Sequence, residues 1–373
     1  MIKKIPLARP YVGKEEIRAL TGVIRSGQLS LGPKLPEFEK KFAACVGVRH
    51  AIALNSGTSG LHLCLKSLNL KPGDEVITTS FSFVASSNPA IFEGAKPVFA
   101  DIDERTYNID PEKLEAAITD KTKAMVVVHL FGQPCDMDAI MRIAGERNIP
   151  VIEDACEALG AKYNKKPVGT FGKAGVFAFY PNKQITTGEG GMIVTDDDET
   201  ASFCRSLRNQ GRDDTGEWLN HVRIGYNYRL DEMSCAVGVE QLKKLKFIVK
   251  RRAAIAAQYN KCFKDIKGLV TPYTAKNVDM SWWVYYLRVK PGIDRDVILE
   301  YLNNNGVSAR AYFFPPIHLQ PVYKEKFGYK GGELPVAERV SSSGFIIPFF
   351  VGMTAKQIDK VCSVVKAAFE EAK

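Results

Sequence analysis

From about residue 50 the chain alternates short apolar runs with segments of helical periodicity, and this alternation restricts the possible folds more than any other feature. Strand, helix, strand in repetition is the pattern of parallel strands joined by crossover helices, so the fold class is α/β. Strands are predicted over 51–55, 75–79, 97–101, 124–130, 150–153, 176–180 and 192–195. Most of these runs end in small, polar or acidic residues. In doubly wound sheets the ligand lies beyond the carboxyl ends of the strands, so those ends should carry a site.

At 373 residues the chain is too long for one small core and suits one large domain and one smaller one. Helical periodicity over 234–259 is broken by Ile266-Lys267-Gly268 and Thr271-Pro272. The expected division is a large ligand-binding domain over 1–250, N-terminal segment included, and a small C-terminal α+β domain over 251–373. The latter should hold a strand over 283–289, a helix over 295–305, the loop Phe314-Pro315-Pro316 and a last helix over 356–372.

One predicted strand breaks at Pro181 and places Lys183 in a tight turn followed by Gly188, Gly190 and Gly191. Desolvation lowers the pKa of an ammonium group, and a neutral amine can form an imine with a carbonyl. Lys183 is therefore the candidate nucleophile; a solvated surface turn is the alternative. Upstream, Val151-Ile152-Glu153-Asp154 puts two carboxylates at the end of a buried strand, where an acid without a partner is costly. Pyridoxal phosphate needs such a carboxylate at its ring nitrogen and a lysine at its aldehyde; a helix N-cap aspartate is the other reading. Ser56-Gly57-Thr58-Ser59 follows a strand and opens a helix, so Gly57, Thr58 and Ser59 form either a phosphate cradle or an ordinary cap. Phe83 lies just after another strand, where its ring could cover a planar cofactor or pack into the core.

The net charge of +9 comes from dispersed lysines, and the densest basic run, 243–252, reads as the solvated face of a helix. An anionic small substrate accounts for the positive field, and nucleic-acid binding is not expected. Eight scattered cysteines without a C-x-x-C pair read as free thiols in a reducing cytoplasm. The five histidines show no metal-ligand spacing, so no metal is expected. No apolar run approaches the roughly 20 residues that span a bilayer, and Arg9, Lys14 and Glu15 stand where a signal core would be. A cytoplasmic location without membrane attachment follows as the expectation.

The ordered segments S-G-T-S-G-L, S-F-S-F-V-A, I-E-D-A-C-E-A-L-G, F-Y-P-N-K-Q-I-T-T-G-E-G-G and G-Y-N-Y-R-L-D-E closely resemble the DegT/StrS-type nucleotide-sugar aminotransferases. The resemblance covers nearly the whole chain, including Leu29-Ser30-Leu31-Gly32-Pro33 and Pro316-Ile317-His318-Leu319-Gln320-Pro321-Val322-Tyr323, and is greatest to perosamine-synthase-like members. It implies fold type I, with a large, mostly parallel sheet and a smaller C-terminal domain, and pyridoxal 5′-phosphate as cofactor. By the same resemblance, Lys183 matches the lysine bonded to the cofactor and serving as base, and Asp154 the partner of the pyridine nitrogen. Glu157 stands where many members have a glutamine on the phenolic oxygen and perosamine-synthase-like members have glutamate. Gly57, Thr58 and Ser59 match the phosphate turn, Phe83 the stacked ring, and Asn227 an asparagine that reaches the neighbouring subunit's phosphate, which implies a homodimer with shared sites. Ala178 departs from a common serine ligand of the phosphate, with Asn182 or a water as the compensating group. Arg229, Arg310 and His318 match segments lining the substrate region. The implied activity moves an amino group from glutamate to a keto sugar linked to a nucleotide, a GDP- or UDP-4-keto-6-deoxyhexose, in amino-sugar or surface-polysaccharide biosynthesis. A 3-keto sugar and a non-catalytic regulatory role are the alternatives; a related dehydratase, with histidine for the lysine, is opposed by Lys183.

Overall fold

The seven apolar runs lie side by side in one sheet. The computed structural model describes residues 4–213 and 219–371, and in it the strand order is His50–Leu54, Gly191–Thr195, Ala174–Ala178, Val151–Asp154, Thr122–Val128, Glu75–Thr79, Lys96–Ala100. The five strands from Ala174–Ala178 to the Lys96–Ala100 edge are mutually parallel. Their central members are buried throughout, Met125 to Val128 being an example, as a sheet covered by helices on both faces requires.

Gly191–Thr195 runs antiparallel to both neighbours. A parallel return needs a crossover helix, and the connection over 179–190 contains none, so the chain turns straight back and pairs Ala178 with Gly191. Lys183 therefore sits in a broad hairpin loop at the carboxyl end of a central strand.

The long helix Glu232–Phe263 has 32 residues, starting where Asp231 accepts a hydrogen bond from Ser234 N at 2.9 Å and stopping before Gly268, whose φ is +86°. Its buried face changes core along its length. Val239, Leu245 and Ile248 pack with Phe38, Phe42 and Phe177 under the large sheet. Ile255, Ala256, Tyr259 and Phe263 pack with Tyr285, Leu287, Phe345 and Ile358. The change from one set of contacts to the other falls between Ile248 and Ile255. Beyond it, Leu269–Val270, Tyr285–Val289, Gly344–Ile347 and Arg310–Ala311 form an antiparallel sheet backed by Arg295–Asn304 and Ala355–Glu371. The N-terminal segment reaches into this second unit, with Ile5 pairing with Val307 and joining its core. Among the described residues no helix is long and apolar enough to cross a membrane.

Candidate active site

The carboxyl ends of four strands open onto a cavity of about 490 Å3. Ser56, Gly57 and Thr58 enter it after His50–Leu54, Ser82, Phe83 and Ser86 after Glu75–Thr79, Asp154 and Glu157 around the end of Val151–Asp154, and Ala178, Asn182 and Lys183 after or at the end of Ala174–Ala178. Trp283, Tyr312 and Phe313 close it from the C-terminal unit. A larger cleft of about 720 Å3, beside Arg105, Arg142 and Tyr273, contains none of the sequence-predicted site residues. Gly57, Thr58, Phe83, Asp154, Glu157, Asn182 and Lys183 meet in the smaller cavity.

Ser56 caps the helix Gly57–Lys66: its hydroxyl accepts from Ser59 N at 3.1 Å. The Ser59 hydroxyl donates to Asn55 Oδ1 at 2.7 Å, so Ser59 is committed inside the cap and is not part of the cavity lining, which Gly57 and Thr58 supply. A Cβ on Gly57 would come within 2.8 Å of Cys156 Sγ and 2.9 Å of Ala178 Cβ. That turn can lie against the neighbouring strand ends only as glycine.

Successive strand side chains point to opposite faces, and Glu153 and Asp154 separate accordingly. Asp154 faces the cavity, where Oδ2 accepts from Ser86 Oγ at 2.7 Å and Oδ1 from Cys156 N at 3.1 Å; Ser86 is in turn bonded to Ser82 at 2.9 Å. Glu153 points away. It accepts from the backbone N–H groups of Gly169, Phe171 and Gly172 at 2.6, 2.6 and 2.7 Å and pairs with His129 Nε2 at 2.9 Å. The strand end thus offers the cavity one carboxylate, and the other is neutralised chiefly by amide donors.

Lys183 N donates to Tyr180 O at 2.9 Å, closing the turn that aims its side chain inward. That side chain is 12% exposed, with Nζ 3.9 Å from Glu157 Oε1 and 3.7 Å from the centroid of the Trp283 ring. Burial pushes the Glu157 carboxyl up to about 7, the Lys183 charge and the Phe131 N–H at 2.9 Å opposing that rise and Asp154 adding to it. Burial likewise raises the Tyr312 phenol. Asn182 Oδ1 is buried without a hydrogen-bond partner. Trp283, Tyr312 and Phe313 escape sequence reasoning because they come from segments far from the lysine, with the paired tryptophans Trp282-Trp283 and the aromatic run before Pro315 as local signals, and Ser86 escapes it because its bond to Asp154 joins residues 68 positions apart.

Phe83 lines the cavity and is 61% exposed. Asn227, Arg229, Arg310 and His318 are outside the lining. Asn227 is exposed and bridges Asn209 through the backbone, while Arg229 donates to Asn209 Oδ1 at 3.0 Å. Arg310 is exposed on its short strand. His318 is fully buried, with Nδ1 3.0 Å from Ser80 Oγ and Nε2 3.0 Å from Glu338 Oε1. His318, Glu333 and Glu338 bring their polar atoms within 4.8 Å of one another, a grouping that sequence spacing did not reveal; Glu338 already accepts from Gly332 N at 2.8 Å and Leu334 N at 3.2 Å.

A family model described as the DegT/DnrJ/EryC1/StrS aminotransferase family matches residues 10–366. The spore coat polysaccharide biosynthesis protein SpsC of Bacillus subtilis (strain 168) is 41% identical over 97% of this chain and 96% of that protein. GDP-perosamine synthase of Caulobacter vibrioides is 39% identical over 96% of this chain and 97% of its own. A putative sugar aminotransferase of Streptococcus pneumoniae, solved in its PLP-form, has the same fold at a TM-score of 0.94 and 27% identity, covering 99% of this chain and 100% of the other.

Proposed function

From the premise that this chain belongs to the DegT/DnrJ/EryC1/StrS aminotransferase family, we propose that it uses pyridoxal 5′-phosphate to move an amino group from glutamate to a nucleotide-linked keto sugar. The observation that carries this reading is that Lys183, in the loop after Ala174–Ala178, and Asp154, at the end of the adjacent parallel strand, line one cavity. The donor set suits that cofactor: one amine, a hydrogen-bonded carboxylate, an exposed aromatic ring at Phe83 and a buried amide oxygen, Asn182 Oδ1, still lacking a partner.

Lys183 would bond the cofactor, Asp154 would meet its ring nitrogen, Glu157 its phenolic oxygen and Phe83 its face. Gly57 and Thr58, in the turn that Ser56 and Ser59 cap, would hold its phosphate. When bound, the cofactor supplies an electron sink for negative charge on the substrate carbon. Asp154, oriented by Ser86 and the Cys156 N–H, would keep a proton on the ring nitrogen. Lys183 Nζ carries a proton to and from the carbon that loses or gains nitrogen. Near neutral pH Glu157 is partly protonated, so its carboxyl can donate to an anionic oxygen while accepting from Phe131 N. Ala178 brings no hydroxyl to the phosphate side, and the Asn182 side-chain amide N–H, a donor in the same lining, would be the compensating group.

Asn227 lies outside its own chain's cavity, which agrees with a role across a homodimer interface. Exposed Phe83, Tyr180 and Ile224 supply apolar surface for such a contact. Arg229 and Arg310 are the proposed partners of the nucleotide diphosphate. The 39% identity to a GDP-perosamine synthase favours a GDP- or UDP-4-keto-6-deoxyhexose as acceptor, in a cytoplasmic route to amino sugars or surface polysaccharide. The purified protein should carry a visible absorbance band that glutamate bleaches, a keto-sugar nucleotide restores and borohydride removes. Lys183→Ala should lose the band and about a thousandfold or more of the turnover; full turnover in that variant would refute the mechanism.

A further inference from the structure

Lys183 ends a four-carbon chain whose freedom the hairpin turn does not restrict, so something else must fix where its ammonium waits. Among the described residues the carboxylate oxygen within 4.0 Å of Nζ is Glu157 Oε1, and at 3.9 Å it is beyond hydrogen-bond distance, its neighbouring oxygen being held by Phe131 N. The centroid of the Trp283 ring is closer, at 3.7 Å. An ammonium over an indole face is held electrostatically without a directional bond.

Trp283 is itself unusually well fixed. Its ring N–H donates to Asn182 O at 3.0 Å, the residue just before the lysine. Its backbone N donates to Phe131 O at 2.9 Å, and its carbonyl accepts from Arg252 Nη1 at 2.9 Å. Arg252 also reaches Lys183 O at 3.5 Å, so one guanidinium from the long helix ties the backbone of both residues together. The same tryptophan therefore holds the loop at Asn182 and the amine at Lys183.

We propose that Trp283 is a positioning residue for Lys183, its indole face being the resting place of the ammonium whenever the lysine is not covalently engaged. This rests on the reading of Lys183 as the reactive amine. A carboxylate in hydrogen-bond contact would bind the ammonium tightly. The ring holds it in place yet lets it leave, and Glu157 is kept at a distance by the Phe131 N–H. Glu157 and Cys156, on the side of the Val151–Asp154 strand end, act electrostatically on the amine; Asp154 and Tyr312 line the same cavity, and the Arg252 guanidinium meets the lysine's backbone carbonyl.

The test compares wild type with Trp283→Leu and Trp283→Phe as full chains freed of cofactor, measuring acetylation of Lys183 by acetic anhydride at one pH by mass spectrometry against the other lysines. An ammonium does not attack the reagent, so Trp283→Leu should label Lys183 about tenfold faster, and Trp283→Phe, which keeps a ring of weaker quadrupole, about threefold faster. In the cofactor-loaded enzyme kcat should fall while the KM for glutamate stays. Labelling at the wild-type rate in a folded Trp283→Leu protein overturns the proposal. Should that variant not fold, the Phe variant decides by the same criterion. Retention of the visible band by Lys183→Ala would instead refute the underlying reading of the lysine, leaving the two failures distinct.

Discussion

The cavity around Lys183 and the closed polar clusters near it use the same residue types but differ in how completely they are satisfied. Glu153 has three backbone donors and His129; His318 has Ser80 on one nitrogen and Glu338 on the other. In the cavity, Lys183 and Glu157 stand 3.9 Å apart, Glu157 is raised to about 7, and Asn182 Oδ1 has no partner. Complete satisfaction is what a buried charge needs to hold loops in place, and incomplete satisfaction is a cost that a bound ligand can remove. Burial of a titratable group therefore does not separate the two classes; the state of its hydrogen bonds does.

The comparison breaks first if a closed cluster proves dispensable. Glu153→Ala leaves three amide N–H groups and His129 Nε2 unpaired, and it should lower unfolding free energy by about 3–5 kcal/mol in a denaturant titration. A change below about 1 kcal/mol would mean that the turn over 169–172 does not depend on that carboxylate.

The cavity should respond in the opposite sense. Because the folded-state pKa of Glu157 is raised from 4.5 to about 7, the folded protein binds more protons than the unfolded chain between these values, and stability falls as pH rises through them. The loss amounts to roughly 3 kcal/mol above pH 7. Glu157→Gln removes it, so the cofactor-free variant should match wild type near pH 4 and exceed it by up to roughly 3 kcal/mol at pH 8, read from unfolding curves at both pH values. Parallel pH dependence in wild type and variant would show that the cavity is not where the uncompensated charge lies.

The same contrast marks how far the sequence could be read. The strands were legible because a two-sided sheet demands apolar runs, and Lys183 because Pro181 and the glycines isolate it in a turn. Strand direction was not, since periodicity is blind to it: Gly191–Thr195 turned out antiparallel because the 179–190 connection contains no crossover helix. Without the family resemblance, which singles out Asp154, Glu153 and Asp154 read as a pair, because their separation depends on which face the strand buries. Trp283 was missed because its contact with Lys183 joins residues a hundred positions apart, and the Ser80 and Glu338 partners of His318 are likewise remote in sequence. Motifs locate groups that a loop presents; they do not show which of those groups the rest of the chain has already consumed.

His318 gives the smallest expected effect and the sharpest discrimination. It was expected in the substrate region, yet its ring is fully buried, in aromatic contact with Phe99 and Tyr329, and both nitrogens are engaged. If the cluster only fastens the loop after Glu75–Thr79 to the helix Pro335–Ser343, His318→Leu, similar in bulk, should cost about 1–2 kcal/mol through the lost bonds to Ser80 and Glu338, with kcat and both KM values unchanged. A tenfold rise in the KM for the sugar nucleotide with stability intact would place His318 with the cavity instead. In that case a fully satisfied hydrogen-bond set would not by itself mark a structural histidine, and the distinction would have to rest on cavity access alone.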